Sequence, residues 1–312
     1  MLTFVGMEPR GLESCDYSGR LVDEQTLLRA TDERAFANEA LAVLRELEQS
    51  VALVARVRWI GDDGAPRTLT RNEAVLAGQM VRLAKLHGGL LRFCDPPGME
   101  LFAFVLRGAI ETAINLRYLI THGSDATYEA FVRHSLKLEK QLRDRVVAAI
   151  EERGGVVMPM EHGMLEGIEA AFRTAEVEPE DVDPVSRAPW SKGGAFGRFK
   201  ALGVEDLYGP YFGVQSSYVH GAWQELVQHH LEVQPDGRFL PRATFDEGLA
   251  VAPLLIAVDV LGGATVDYLR AAAPPTRDRD VLEGRIDVCG ENASAIRAAY
   301  RRFRGMPDLT GA

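Results

Sequence analysis

Residues 101–123 read LFAFVLRGAIETAINLRYLITHG, and outside Arg107, Glu111 and Asn115 this run is apolar nearly all round. A helix of that kind offers water no clear side, so it must be packed by neighbours on most of its circumference. It therefore belongs at the centre of the fold. Helix-period sequence on either side supplies those neighbours. From about Thr31 to Trp59, Ala37, Leu41, Leu44, Leu47, Val51 and Val54 recur at three and four residues. Thr70-Arg71-Asn72-Glu73 is a capping box, in which Thr70 accepts from the Glu73 amide and the Glu73 carboxylate reaches back to the cap. Ser124-Asp125 starts a helix that runs to Arg153 and stops at Gly154-Gly155, and a shorter one covers Met160 to Ala175.

Helicity resumes near Phe196 and, after Gly209-Pro210, continues as one long helix to about Leu231. Pro235-Asp236-Gly237 then predicts a tight turn and a small β-hairpin over 231–241. A second capping box, Thr244-Phe245-Asp246-Glu247, opens a helix to about Arg270, and a last helix covers Ala293 to Arg304. Strand signals are otherwise scarce, and turns are marked at GDDGAP (61–66) and Pro96-Pro97-Gly98. The expected fold is all-α, an antiparallel bundle of about seven to eight helices with that one hairpin. Residues 1–30 read as an irregular arm, 31–270 as the bundle, and 271–312 as a tail carrying a basic helix.

Bulk composition narrows the function classes. The 312 residues carry a formal charge of -10, which speaks against broad, non-specific nucleic-acid binding but leaves room for a local basic site. Cys15, Cys94 and Cys289 lie far apart, with no zinc spacing, as in a reducing compartment. The apolar stretch 249–261 is interrupted by Pro253 and Asp259 and falls short of the ~20 residues that span a bilayer. With no secretory leader in the first residues, a cytoplasmic location and no membrane partner are expected.

Two helices break their own patterns, and such breaks often mark sites. Arg107, Glu111 and Asn115 fall at i, i+4 and i+8 on one face of the central helix. Ser216 and His220 share a face of YFGVQSSYVHGAWQELVQHHLEV (211–233), with Trp223 a turn further on, and Gly221 suggests a close backbone approach. Arg107 and Glu111 can equally be a brace on a solvated face, and a lone helical histidine is commonly a satisfied core group. Glu225 and His229 lack the E-x-x-H partners of a di-iron bundle, and Gly193-Gly194-Ala195-Phe196-Gly197 lacks the rest of a phosphate loop, so neither a metal nor a cofactor is expected. Arg297, Arg301, Arg302 and Arg304 are a docking helix on the plainer reading and an RNA or partner contact on the sharper one. The segment 177–195, with Trp190 between Pro189 and Ser191, reads as an ordered loop or a lid, and as the most mobile internal stretch.

RGAIETAINLRYL (107–119), FVRHSLKLEKQLRD (131–144) and YFGVQSSYVHGAWQEL (211–226) together resemble a bacterial family known as domain of unknown function 5677, over roughly residues 70–270. More distantly, Gln215-Ser216-Ser217-Tyr218-Val219-His220 resembles the arginine, polar, three-residue, histidine motif of the HEPN superfamily of helical, metal-independent ribonucleases. Gln215 stands where that motif has arginine, so the resemblance implies catalysis only if Arg107 supplies the guanidinium from the neighbouring helix. On that basis His220, Arg107 and Glu111 are the expected catalytic residues, with Glu111 and His220 within a hydrogen bond or one bridging water of each other. Asn115, Ser216, Tyr218 and Trp223 would hold the substrate. The implied activity is RNA cleavage or RNA binding, in a toxin or defence role. The competing readings are a small-molecule enzyme or ligand-binding protein using the same residues, and a non-catalytic interaction module. RNA or a small ligand is thus the expected partner, and a homodimer is compatible with either.

Overall fold

The computed structural model describes residues 2–4, 22–59, 65, 67–94, 99–244 and 250–306. The expected breaks at 61–66 and 96–98, the box at 244–247 and Cys15 lie outside these residues, Ala65 and Thr244 excepted. A short strand β1 (Leu2–Phe4) and helix α1 (Glu24–Leu28) precede α2 (Glu33–Val54), β2 (Val57–Trp59), α3 (Arg71–Arg92) and α4 (Met99–His122). Then come α5 (Asp125–Ser135), α6 (Lys137–Glu152), α7 (Pro159–Ala175), α8 (Gly194–Ala201), α9 (Val214–His220) and the single turn α10 (Trp223–Glu225). The hairpin β3 (Leu231–Val233) and β4 (Phe239–Pro241) leads to α11 (Val251–Ala272) and α12 (Arg277–Phe303). The fold is all-α with small β-ribbons.

Helix α4 lies against α3, α9 and α11, while α2 closes on α3, α11 and α12. The core joins Phe36, Leu44 and Leu47 of α2, Met80, Leu83 and Leu90 of α3, Phe102, Leu106 and Ile110 of α4, and Leu254, Val258 and Leu261 of α11. Each such side chain, fully withdrawn from water, contributes roughly 2 kcal/mol. A smaller cluster of Val132, Leu136, Ile168, Phe172, Val177 and Val182 holds α5 and α7 together. Local chemistry starts the helices as the sequence indicates. Asp32 caps α2, Ser124 caps α5, and at α3 both bonds of the Thr70–Glu73 box form.

Several expected elements are cut differently. Helix α2 ends at Val54, and Val57–Trp59 instead pairs antiparallel with Leu2–Phe4, so the arm is not wholly irregular. The helix expected to reach Arg153 breaks at Leu136, just after the Ser135 hydroxyl turns back to the Val132 carbonyl. The long helix expected to reach Leu231 stops at Gly221, whose φ of 60° is left-handed and unwinds it. No atom outside its immediate neighbours lies within 4 Å of where a Gly221 Cβ would be, so conformation rather than close approach calls for glycine there. The hairpin forms as expected, with Leu231 opposite Pro241.

The C-terminal helix begins at Arg277, far earlier than Ala293, capped by Thr276. It buries Leu282, Ile286, Cys289, Ala293 and Ile296 in the common core rather than forming a separate tail. Its arginines serve that docking, since Arg297 pairs with Asp259 at 2.5 Å and Arg304 with Glu33. Helix α11 ends at Ala272, close to the expected Arg270. Its 22 residues are long and apolar enough to cross a bilayer by length and composition, yet here they pack against α2, α4 and α12.

Candidate functional site

Arg107 leaves α4 towards α9, where two of its three nitrogens and the face of its guanidinium find partners. Its Nε donates to Ser216 Oγ at 2.9 Å, Nη1 donates to Glu111 Oε2 at 2.9 Å, and the plane lies 3.3 Å above the Phe212 ring. Ser216 donates its own proton to the Phe212 carbonyl at 2.8 Å, so its oxygen is free to accept from Arg107. The Arg107 side chain is 18% exposed and that of Glu111 47%, so the pair forms the wet edge of a mostly buried node. Phe212 is carried by a wide π-turn at Tyr208–Gly213 that leads directly into α9. Such turns recur at functional sites.

A second arginine, which sequence reasoning missed, stands behind this node. Arg198 of α8 is 4% exposed, donates to Ser191 Oγ at 2.8 Å and stacks 4.8 Å from Trp190. No carboxylate among the described residues forms an ion pair with it, and its Nε has no partner. Burial lowers its affinity for the proton, and the field of Glu111 is the chief influence raising it. Two arginines therefore share one glutamate. His134 lies in the same field, held below its ordinary pKa by burial first, then by Lys137 and Arg198. At His134 the field is thus positive, although the chain is acidic. Asn115, the third residue of the α4 face, keeps a buried Oδ1 without a partner.

His220 ends α9 one turn beyond Ser216, exposed to solvent and without a hydrogen bond among the described residues. The expected bond from Glu111 to His220 is not made, because Glu111 is turned to Arg107. Tyr218 and Trp223 are engaged with the segment leading to the hairpin and with the hairpin itself. The Tyr218 hydroxyl meets His229 Nε2 at 3.2 Å, and Trp223, which Gly221 removes from the face of His220, lies edge-to-face with Phe239, 5.3 Å between ring centroids. Glu225 bonds His230 at 2.7 Å rather than His229. Among the described residues no group of three or more His, Cys, Asp or Glu is arranged to hold a metal ion.

The 177–195 segment is tied down rather than loose. Lys137 Nζ donates to the carbonyls of Ser186 and Ala188, Gln141 to that of Pro184, and Arg133 pairs with Asp181. Trp190 sits edge-on to Tyr118 and Phe131. The segment forms a strap bonded to α5 and α6, with Trp190 and Ser191 against Arg198.

Residues 102–238 match the model of a family of unknown function, DUF5677, from the first turn of α4 to the hairpin turn. This is narrower than the 70–270 suggested by the sequence. It contains the Arg107 node, Arg198 and His220. No curated protein and no solved structure matches the chain.

Proposed function

We propose that the protein binds RNA at the Arg107–Arg198 locality and cleaves it without a metal, His220 serving as the base. The observation that carries this reading is the Arg107–Ser216 hydrogen bond, which sets a guanidinium one helical turn from an exposed imidazole. In the HEPN-like reading of 215–220 the motif arginine is missing, since Gln215 is buried at that position. Arg107 reaches the adjacent Ser216 from α4 and offers the same charge there. A turn of helix, about 5.4 Å, is a suitable span for placing one group on a phosphate and the other on the neighbouring ribose.

His220 takes the proton of the 2′-hydroxyl, whose oxygen bonds to phosphorus as the bond to the 5′-oxygen breaks, and water returns a proton to that leaving oxygen. Arg107 stabilises charge on the phosphoryl oxygens, and Glu111 keeps its plane on Phe212. A protein acting on RNA in this way belongs in the cytoplasm, where the buried thiols of Cys94 and Cys289 also fit.

The test is cleavage of a structured RNA in excess chelator by wild type, His220→Ala and Arg107→Ala. Either substitution should lower the rate by about 10²–10⁴-fold. His220→Ala should leave the melting temperature unchanged, because the ring is exposed. Intact RNA with the wild type, or equal cleavage by His220→Ala, defeats the proposal.

A further inference from the structure

A different face of α4 borders a separate cavity of about 310 Å³, walled by Ile110, Ala113, Ile114, Phe199, Val204 and Val260. That volume is at the small end of what ligand sites use. Its polar groups gather from three helices and a turn. Arg117 comes from α4, Tyr211 from the π-turn, Asp259 from α11 and Arg297 from α12. Asp259 Oδ2 receives both the Tyr211 hydroxyl at 2.7 Å and Arg297 Nη2 at 2.5 Å. Burial, and then Asp259, push the Tyr211 phenol well above its ordinary range, so it stays a donor to that carboxylate. Arg117 gives its Nε to Asp267 at 2.6 Å. The remaining N–H groups of Arg117 and Arg297 make no hydrogen bond within the described residues.

The unspent capacity of this cavity is the remaining N–H donors of two guanidinium forks above an apolar floor, beside the second oxygen of Asp259, which accepts no hydrogen bond among the described residues. A donor half withdrawn from water is stabilised by an acceptor, and a planar fork matches a carboxylate best. Arg117 and Asp259 also border an open groove of about 780 Å³ between α11 and α12, which gives the cavity a way in. We infer that this cavity is a binding site for a small monocarboxylate with a compact apolar tail. The carboxylate lies between Arg117 and Arg297, and the tail lies among Ile110, Ala113, Ile114 and Phe199. None of these residues belongs to the Arg107–His220 node, so the inference stands or falls apart from RNA cleavage.

The experiment is calorimetric titration of the full chain with hexanoate and benzoate, beside hexan-1-ol and inorganic phosphate. One hexanoate or benzoate per chain should bind saturably, with hexan-1-ol and phosphate each at least tenfold weaker. Arg117→Gln, which removes a fork, and Val260→Phe, which fills the cavity, should each weaken the carboxylates at least tenfold. Far-UV circular dichroism confirms that the variants remain helical, and Leu207→Trp, on the same wall, replaces Val260→Phe if that chain does not fold. No saturable binding overturns the inference. So does alcohol or phosphate binding as tight as the acid, or carboxylate binding indifferent to these substitutions.

Discussion

His87 is fully buried in α3 and donates from Nε2 to the Leu44 carbonyl at 2.9 Å, while its Nδ1 has no partner. Burial drives its pKa down to about 4 from 6.5, with the Leu44 bond opposing in part. The unfolded chain therefore binds a proton between these values that the folded chain refuses, and stability falls as pH drops from 6.5 to 4. The expected loss is on the order of 3 kcal/mol, at about 1.4 kcal/mol per pH unit. His87→Gln keeps a donor and removes the titration, so urea unfolding at pH 7, 5.5 and 4 should show a shallower decline for the variant. Parallel declines would show that His87 is not responsible. Single residues were legible in the sequence where they broke a pattern. Arg107, Glu111 and Ser216 interrupt apolar faces, and they meet in space. Arg198 follows a glycine-rich run that reads as a linker, and one more arginine in an arginine-rich chain carries no signal. Only tertiary packing buries it. His220 was read as a partner of Glu111, yet a sequence cannot say which of two nearby groups a carboxylate will face.

The starts at Thr70 and Ser124 were easier to read than the helix ends, because such a start is fixed by a side chain bonding the first turn and an end by backbone geometry. Thr70 shows the first case. Its Oγ1 accepts from the Glu73 amide, and Glu73 answers the Thr70 amide at 2.8 Å. Arg67 first, then the Thr70 amide, hold the Glu73 carboxyl down at about 2. Its pKa is depressed on folding, so this support is present above about pH 4.5 and is lost as pH falls towards 2. Glu73 is well exposed, and solvent screening keeps the charge part small. Thr70→Ala removes the cap itself and should cost about 1 kcal/mol in chemical denaturation, with no change in the helix content of the native state. A variant as stable as wild type would mean that the tertiary contacts of α3 alone set its start. Gly221 and Leu136 show the second case. Each ends a helix inside a sequence whose apolar period continues, so periodicity alone runs the two segments together. The strand at Val57–Trp59 was lost in the same way, since three residues at the end of a helical pattern look like one more turn until Leu2–Phe4 pairs with them.

Across the whole molecule, the segment that matches DUF5677 and the segments that hold it folded are different parts of the chain. The match runs from 102 to 238 and includes α4 to the hairpin turn. Yet α4 buries Phe102, Leu106, Ile110 and Leu116 in a core completed by α2, α3, α11 and α12. Those partners were legible as helices, and α12 was the one whose weight was misjudged. Its charged composition hides Leu282, Ile286, Cys289, Ala293 and Ile296 at helical spacing. A chain limited to 102–238 would expose much of the inner face of α4 to water, with mainly α5, α8, the π-turn at Tyr208–Gly213 and α9 to cover it. The local bonds of Arg107 to Glu111 and Ser216 cannot offset that exposure, because an ion pair open to solvent contributes only ~1 kcal/mol or less. The 102–238 fragment is therefore expected to keep helical far-UV dichroism but to melt without a sharp transition and to bind 8-anilinonaphthalene-1-sulfonate. A chain of residues 22–306 should melt cooperatively and leave the dye dark. A cooperative transition and a dispersed proton–nitrogen spectrum from the 102–238 fragment would overturn this view. The matched segment would then be a domain that folds by itself, with α2, α3, α11 and α12 packed around it as an accessory layer.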